Sequence, residues 1–243
     1  MSATEFYLEG GYATSNPAWH QEDSPWKAAR IVEMLNRNGL KPKTVCEVGC
    51  GAGAILASLQ QQLPDDVQFI GCEPSPQACL MAEPKSNGRL SFVNRSTPAE
   101  GARFDLLLVI DVIEHIEDCF SFLRSLRSAG QQFVLHIPLD LSVLSVLREW
   151  PLIKRRKAVG HIHYFTKKTA LATIEDCGLE IEDYFYTTLW RDTERSLKQT
   201  LLRKLPHKLL FALGQSDLAA KLLGEYSLMV LAKPAAAFLQ NQA

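Results

Sequence analysis

Three carboxylates stand where apolar segments give way to turns: Glu47, Glu73 and Asp111. Glu47 opens the run Glu47-Val48-Gly49-Cys50-Gly51-Ala52-Gly53, which leaves a β-rich segment and enters a helix-like one. Glycines there permit a tight turn and let backbone approach a ligand closely. Taken alone they are ambiguous, because Gly49, Gly51 and Ala54 also satisfy the dinucleotide-binding spacing. The acids separate the two readings. A pyrophosphate at the start of the following helix would be poorly served by a carboxylate at Glu47. A ligand carrying an ammonium and a sulfonium would be well served. Glu73 closes the next strand, where a carboxylate can accept hydrogen bonds from a ribose diol. Asp111 closes the fourth. Together the acids suit a cofactor with a cationic amino-acid end, a ribose and no phosphate.

Positioning them requires alternating strands and helices. Ser24 as N-cap with Pro25 at the first helical position starts a helix that Gly39 ends. Strands are predicted over 44–48, 67–72, 90–93, 104–110 and 133–137. Helices are predicted over 52–63, 76–82 and 112–126. Runs such as Leu106-Leu107-Leu108-Val109-Ile110 are apolar throughout, as in parallel strands covered on both faces. Repeated βα units of this length imply a doubly wound sheet. After Pro138 the pattern changes. Residues 139–150 read as helical and 151–164 as a loop carrying the basic run Lys154-Arg155-Arg156-Lys157. Thr166 caps a helix running to Cys177. Two more strands follow, over 179–186 and 226–232. Between them, 192–223 reads as two helices broken near Pro206. The expected architecture is therefore α/β, Rossmann-like, with a seven-stranded mostly parallel sheet and a helical insertion before the last strand. It forms one domain over 1–243, with 1–23 as an N-terminal lid.

Bulk properties narrow the partners. The 243 residues are enough for one large core, and 47% hydrophobic with 22% charged is ordinary globular composition. Lysine plus arginine (26) balances aspartate plus glutamate (27), for a net charge of −1, so attraction to nucleic acid is not indicated. None of the six cysteines forms a C-x-x-C pair. They read as small buried residues in a reducing compartment. Met1 to Gly11 carries no basic-then-apolar pattern, and no stretch approaches a membrane span. A soluble, cytoplasmic protein without integral membrane association is expected.

The segment 45–118 resembles the class I S-adenosylmethionine-dependent methyltransferases, especially the branch of ubiquinone-biosynthesis O-methyltransferases and bacterial small-molecule methyltransferases. Val45 to Gly53 matches the glycine motif, Glu73 the ribose acid, and Phe104 to Asp118 the fourth-strand motif. The resemblance covers roughly residues 24–180 and, more loosely, the last two strands. It implies the class I methyltransferase fold, S-adenosylmethionine as cofactor and S-adenosylhomocysteine as product. It implies that Glu47, Gly49, Cys50 and Gly51 line the methionine part, that Glu73 and Pro74 meet the ribose, and that Ile110, Asp111 and Val112 sit beside the sulfonium. The adenine contact falls near Asn94-Arg95-Ser96-Thr97, which departs from the commoner pattern; Ser96 is the residue taken.

Methyl transfer needs mainly alignment, because a thioether leaves readily. A hydroxyl acceptor also wants a general base. Histidines His20, His115, His136, His161 and His163 are the candidates, and His115, His161 and His163 are assigned to catalysis. Trp19, His20, Trp26 and Lys27 could form the lid. Asp111, Glu114 and His115, at i, i+3 and i+4 of a helix start, would put three metal-ligand types on one face. Bracing hydrogen bonds explain them as well, and no metal is assigned. The basic run Lys154–Lys157 reads as a solvated loop, and the 192–223 helices as surface helices with an apolar inner face. The function expected is methyl transfer to a small molecule, with oxygen as acceptor atom. The rivals are a protein or RNA methyltransferase, an inactive cofactor-binding partner subunit, and an NAD-dependent dehydrogenase, the last disfavoured by Glu47.

Overall fold

The computed structural model describes residues 11, 14, 16–19, 21–188 and 201–236. Seven strands form one sheet in the order β3-β2-β1-β4-β5-β7-β6. They are β1 (Thr44–Val48), β2 (Gln68–Cys72), β3 (Leu90–Val93), β4 (Phe104–Ile110), β5 (Gly130–Leu139), β6 (Leu179–Thr187) and β7 (Tyr226–Pro234). Strands β1 to β5 pair in parallel, and β7 inserts antiparallel between β5 and β6. The chain runs outward from β1 to β3 and then returns to place β4 beside β1. That reversal is a switch point, and the carboxyl ends of β1 and β4 diverge there to leave a crevice.

Burial on both faces is what the apolar runs required. Leu106 and Leu108 of β4 join Val45, Phe69 and Val134 in one core, beneath helices α1 (Ser24–Arg37) and α2 (Ala54–Gln60). Leu107 and Val109 point to the other, with Cys46, Val48, Phe133 and Leu135. That second core lies beneath α4 (Cys119–Leu126) and α7 (Lys167–Asp176). Helix α3 (Pro76–Ala82) covers the β2–β3 edge, inserting Ala78 and Ala82. Burying each such leucine contributes roughly 1.5–3 kcal/mol, so β4 is pinned from both sides. The cysteines carry no disulfide.

Four expectations are corrected. The helix expected over 112–126 spans only Cys119–Leu126. Residues 112–118 turn instead, beginning at Asp111 with φ +54. Val112, Ile113 and Ile116 are still turned toward the core, and their three- and four-residue spacings imitate a helix. The helix starts where the Asp118 carboxylate accepts from the Ser121 N–H at 3.0 Å. Second, 151–164 is not all loop, because α6 (Trp150–Val159) occupies its first part. Pro151 suits its first turn and Gly160, at φ +77, its end. It buries no residue, so it had no apolar stripe to be read. Third, the helical stretch expected at 139–150 begins only at α5 (Val143–Arg148), after a Ser142–Ser145 capping box. Fourth, Pro206 lies inside α8 (Leu201–Ala212), and the break before α9 (Ser216–Leu223) falls at Leu213-Gly214-Gln215, where Gly214 has φ +70. Residues 192–200 of the expected insertion, and His20 of the expected lid, lie outside the described residues.

Candidate functional site

The glycine run turns the chain from β1 into α2 across the crevice mouth. Gly49 has φ +73, and its N–H donates to the Cys72 carbonyl at 2.8 Å, tying the turn to β2. A Cβ at Gly49 would lie 2.7 Å from Val112 Cγ2, so only glycine allows β1 and β4 to close up here. The Gly51 N–H donates to Glu73 Oε2 at 2.8 Å, and the Ser75 N–H donates to Oε1 at 2.8 Å. Burial pushes the Glu73 carboxyl up, and these two backbone donors pull it back toward the charged form.

The cleft encloses about 460 Å³. Its walls include Glu47, Gly49, Cys50, Gly51, Glu73, Pro74, Ile110, Asp111 and Val112, from the ends of β1, β2 and β4. Glu47 is 1% exposed, and its Oε2 makes no hydrogen bond. Burial pushes its pKa up to about 8, against the opposing pull of Lys27. A buried carboxyl oxygen without a donor is costly, which makes Glu47 a candidate to meet a polar or cationic group of a ligand.

Asp111 is occupied from both sides. Lys27 Nζ lies 2.6 Å from Oδ2, and His136 Nδ1 lies 2.5 Å from Oδ1. His136 Nε2 in turn lies 2.8 Å from Thr187 Oγ1. Burial alone would raise the Asp111 pKa, but His136 and Lys27 outweigh it and hold the carboxyl below the usual carboxylate range. The i, i+3, i+4 trio of Asp111, Glu114 and His115 is therefore not assembled, since Asp111 already has two partners and 112–118 is not helical.

At the far end of the cleft, Glu114 and His115 meet His161. The segment 160–163 is stapled down by the Ile162 and His163 N–H groups, which donate to the Glu114 carbonyl at 2.8 and 3.1 Å. His161 Nδ1 donates to Asp140 Oδ2 at 2.6 Å, and Asp140 is also paired with Arg155. His115 Nδ1 donates to the Gly160 carbonyl at 3.2 Å. Its pKa is lowered to about 3, by burial first and by His161 next. The two rings meet edge to face at 4.8 Å.

Two sequence-assigned residues stand apart. His163 Nε2 donates to the Ile116 carbonyl at 2.8 Å, which anchors the loop, and it is not among the lining residues. Ser96 is exposed and also outside the lining. Its neighbour Asn94 instead ties β3 to the Glu73 and Pro74 carbonyls. Of the expected lid, Trp19 and Lys27 line the cleft, with the Trp19 ring over Gly51. Trp26 sits edge-on to His136, with centroids 6.1 Å apart. The sequence does not single out Asp140, and Arg155 reads there only as part of the solvated run Lys154–Lys157, whereas it lines the cleft and pairs with Asp140. The available signal was an acid just past the end of an inner strand, Asp140 after Leu139.

Residues 18–184 match the model of a methyltransferase domain family. The chain is 26% identical over 106 residues to norajmaline N-methyltransferase of Rauvolfia serpentina, a match covering 41% of this chain and 36% of that protein. It is 34% identical over 98 residues to ubiquinone biosynthesis O-methyltransferase of Aliivibrio fischeri, covering 38% of this chain and 41% of that protein. Each of these two matches thus spans well under half the relative's length. A longer match, 26% identical over 184 residues, covers 68% of the chain and 79% of the Pseudomonas paraeruginosa ubiquinone biosynthesis O-methyltransferase. Among solved structures, magnesium protoporphyrin IX methyltransferase from Synechocystis PCC 6803 superposes with a TM-score of 0.58 at 16% identity, covering 91% of this chain and 86% of that one. Plantazolicin methyltransferase gives 0.59 at 13% identity, covering 96% and 93%. These two likenesses establish the fold.

Proposed function

Since the chain belongs to the methyltransferase domain family, we propose that it transfers the methyl group of S-adenosylmethionine to an oxygen of a small-molecule acceptor, releasing S-adenosylhomocysteine. The observation that carries the reading is the single cleft into which Glu47, Glu73 and Asp111 all project from the ends of three parallel strands. The Glu47 carboxylate takes the cofactor's ammonium, with Gly49, Cys50 and Gly51 backbone alongside. Glu73 and Pro74 meet the ribose. Ile110, Asp111 and Val112 flank the sulfonium. Ser96 is left as the adenine-side candidate, exposed and outside the lining.

In the reaction an oxygen lone pair attacks the methyl carbon in line with the carbon–sulfur bond. The bonding pair goes to sulfur, and the hydroxyl proton passes to Nε2 of His161, whose Nδ1 donates to Asp140. Positioning supplies most of the rate. His115 and His161, at the end of the cleft away from the glycine turn, are the groups that meet the acceptor hydroxyl; His163 holds their loop. The relatives' names support a small molecule, and the balanced overall charge gives no global attraction to nucleic acid. No helix of the described residues is long and apolar enough to cross a membrane. The test is transfer of isotope-labelled methyl from S-adenosylmethionine to a panel of phenols and catechols, with amines and thiols alongside. Labelled phenol ethers support the reading. Label on amines alone would overturn the oxygen assignment.

A further inference from the structure

Helices α5 and α6 meet at a corner that carries charge of one sign. Residues 143–159 hold five cations, Arg148, Lys154, Arg155, Arg156 and Lys157, against the single acid Glu149. Glu149 joins the two helices at φ +54, a conformation that an L-residue adopts at a cost. A chain that is nearly neutral overall thus gathers a local positive field, which favours a negative group brought to it. Among the described residues, only Arg155 of the five cations forms an ion pair, with Asp140.

This corner forms one wall of a second cavity, of about 570 Å³. Its opposite wall comes from α8, α9 and the turn that precedes β7. Arg148 and Lys154 belong to the lining and are exposed, which places them toward solvent. Deeper in, Ser142, Ser145 and His207 are buried. Asp140 is occupied by Arg155 and His161, so the further acid of the lining is Glu225, against Arg148 and Lys154.

The second cavity adjoins the cleft. Arg155 and Val159 line both, and Asp140 lines the second while holding His161 of the first at 2.6 Å. The cleft, at about 460 Å³, lies low in the ~300–1,000 Å³ span of single-ligand pockets. A cofactor seated there leaves little room for an acceptor, and the second cavity supplies it.

We propose that the second cavity holds an acidic group of the methyl acceptor, a carboxylate or a phosphate, which Arg148 and Lys154 meet while the acceptor's hydroxyl enters the cleft beside His161, a role that rests on the methyl-transfer reading. The acceptor is then an amphiphilic hydroxy acid. Its apolar body lies against Leu144, Leu152 and Val159, which line the same space. The guanidinium of Arg148 suits either anion, because its planar fork matches two oxygens at once. The acids of the cleft, among them Glu47, Glu73 and Asp111, would repel a negative group that the corner attracts. The charge of the acceptor therefore sets which of its ends reaches the methyl group.

The experiment is calorimetric titration of the protein, with and without saturating S-adenosylhomocysteine. The ligands are protocatechuate, caffeate and a catechol butylphosphonate, each beside its neutral ester. At least one acid is expected to bind roughly tenfold tighter than its ester, as two partly exposed ion pairs supply. Added salt should shrink that preference. The double variant Arg148→Gln, Lys154→Gln should reduce it to within about twofold and leave S-adenosylhomocysteine affinity unchanged. Arg156→Gln, on the same helix but outside the lining, should keep it. No preference for any acid, or an equal preference in the double variant, overturns the site. Loss in Arg156→Gln as large as in the double variant overturns it too, in favour of a diffuse field. Capture by phosphatidylglycerol vesicles with no preference among the soluble acids gives the cations to a membrane surface instead. Failure of S-adenosylhomocysteine to bind, with the acid preference intact, overturns the methyl-transfer reading and leaves the acid site standing.

Discussion

Lys27, near the start of α1, places Nζ 2.6 Å from Oδ2 of Asp111 at the end of β4. One ion pair thus ties a helix outside the βα repeat to the strand that ends at the cleft. The pair is largely removed from water, with side-chain exposures of 13% and 25%. Asp111 also sits at φ +54, a conformation that an L-residue adopts at some cost and that its partners must hold.

Replacing Lys27 with methionine leaves Asp111 its His136 contact but removes the cation. The expected loss is about 1–3 kcal/mol in urea denaturation at pH 7. The Asp111 pKa is depressed in the native state, so its stabilisation is present above the unfolded value of about 3.9 and disappears as the pH falls further. The gap between parent and Lys27→Met should therefore narrow below about pH 4. Equal stability of the two at pH 7 would show the pair to be of no consequence.

Glu47 gives the opposite sign. Its pKa is raised from 4.5 to about 8, by burial first. Below the unfolded value nothing is lost. As pH rises from there toward 8, the ligand-free protein should lose up to about 1.4 kcal/mol per pH unit through this group. Glu47→Gln should flatten that slope and raise the melting temperature at pH 8. Cofactor binding brings an ammonium to the carboxylate and expels the proton. Calorimetry at pH 7 in buffers of different ionisation enthalpy should find close to one proton released per S-adenosylmethionine. The same release in Glu47→Gln would assign the proton elsewhere.

Gly49→Ala meets two obstacles at once, a left-handed backbone and the Val112 methyl 2.7 Å away. About 1–3 kcal/mol of destabilisation is expected, together with weaker cofactor binding. Adding Val112→Ala should recover the steric part and not the backbone part. A double variant no more stable than Gly49→Ala would show that the contact with Val112 carries none of the cost.

Much of this was legible because burial leaves strong marks. Strands β1, β3 and β4 begin and end where their apolar runs do, and the glycine turn and its three acids fall in one cleft. Periodicity failed where burial and helicity part company. Val112, Ile113 and Ile116 face the core from a turn at three- and four-residue spacings, so 112–118 mimicked a helix. Helix α6 is helical but buries nothing, so 150–159 mimicked a loop. The cluster around His161 was half visible. The sequence offered Glu114 beside His115, yet its third member depends on how the 160–163 segment folds back onto the Glu114 carbonyl. No spacing rule encodes a contact of that range. The Asp140 support for His161 was hidden for the same reason.

The most direct test of the account is calorimetric titration of the purified protein with S-adenosylmethionine, S-adenosylhomocysteine and NAD, in the parent and in Glu47→Gln. The account predicts one-to-one binding of both sulfur compounds and none of NAD. It predicts at least a tenfold loss in the variant, as befits a charge-assisted bond worth about 1.5–3 kcal/mol. Binding of NAD without either sulfur compound, or undiminished affinity in Glu47→Gln, would contradict it.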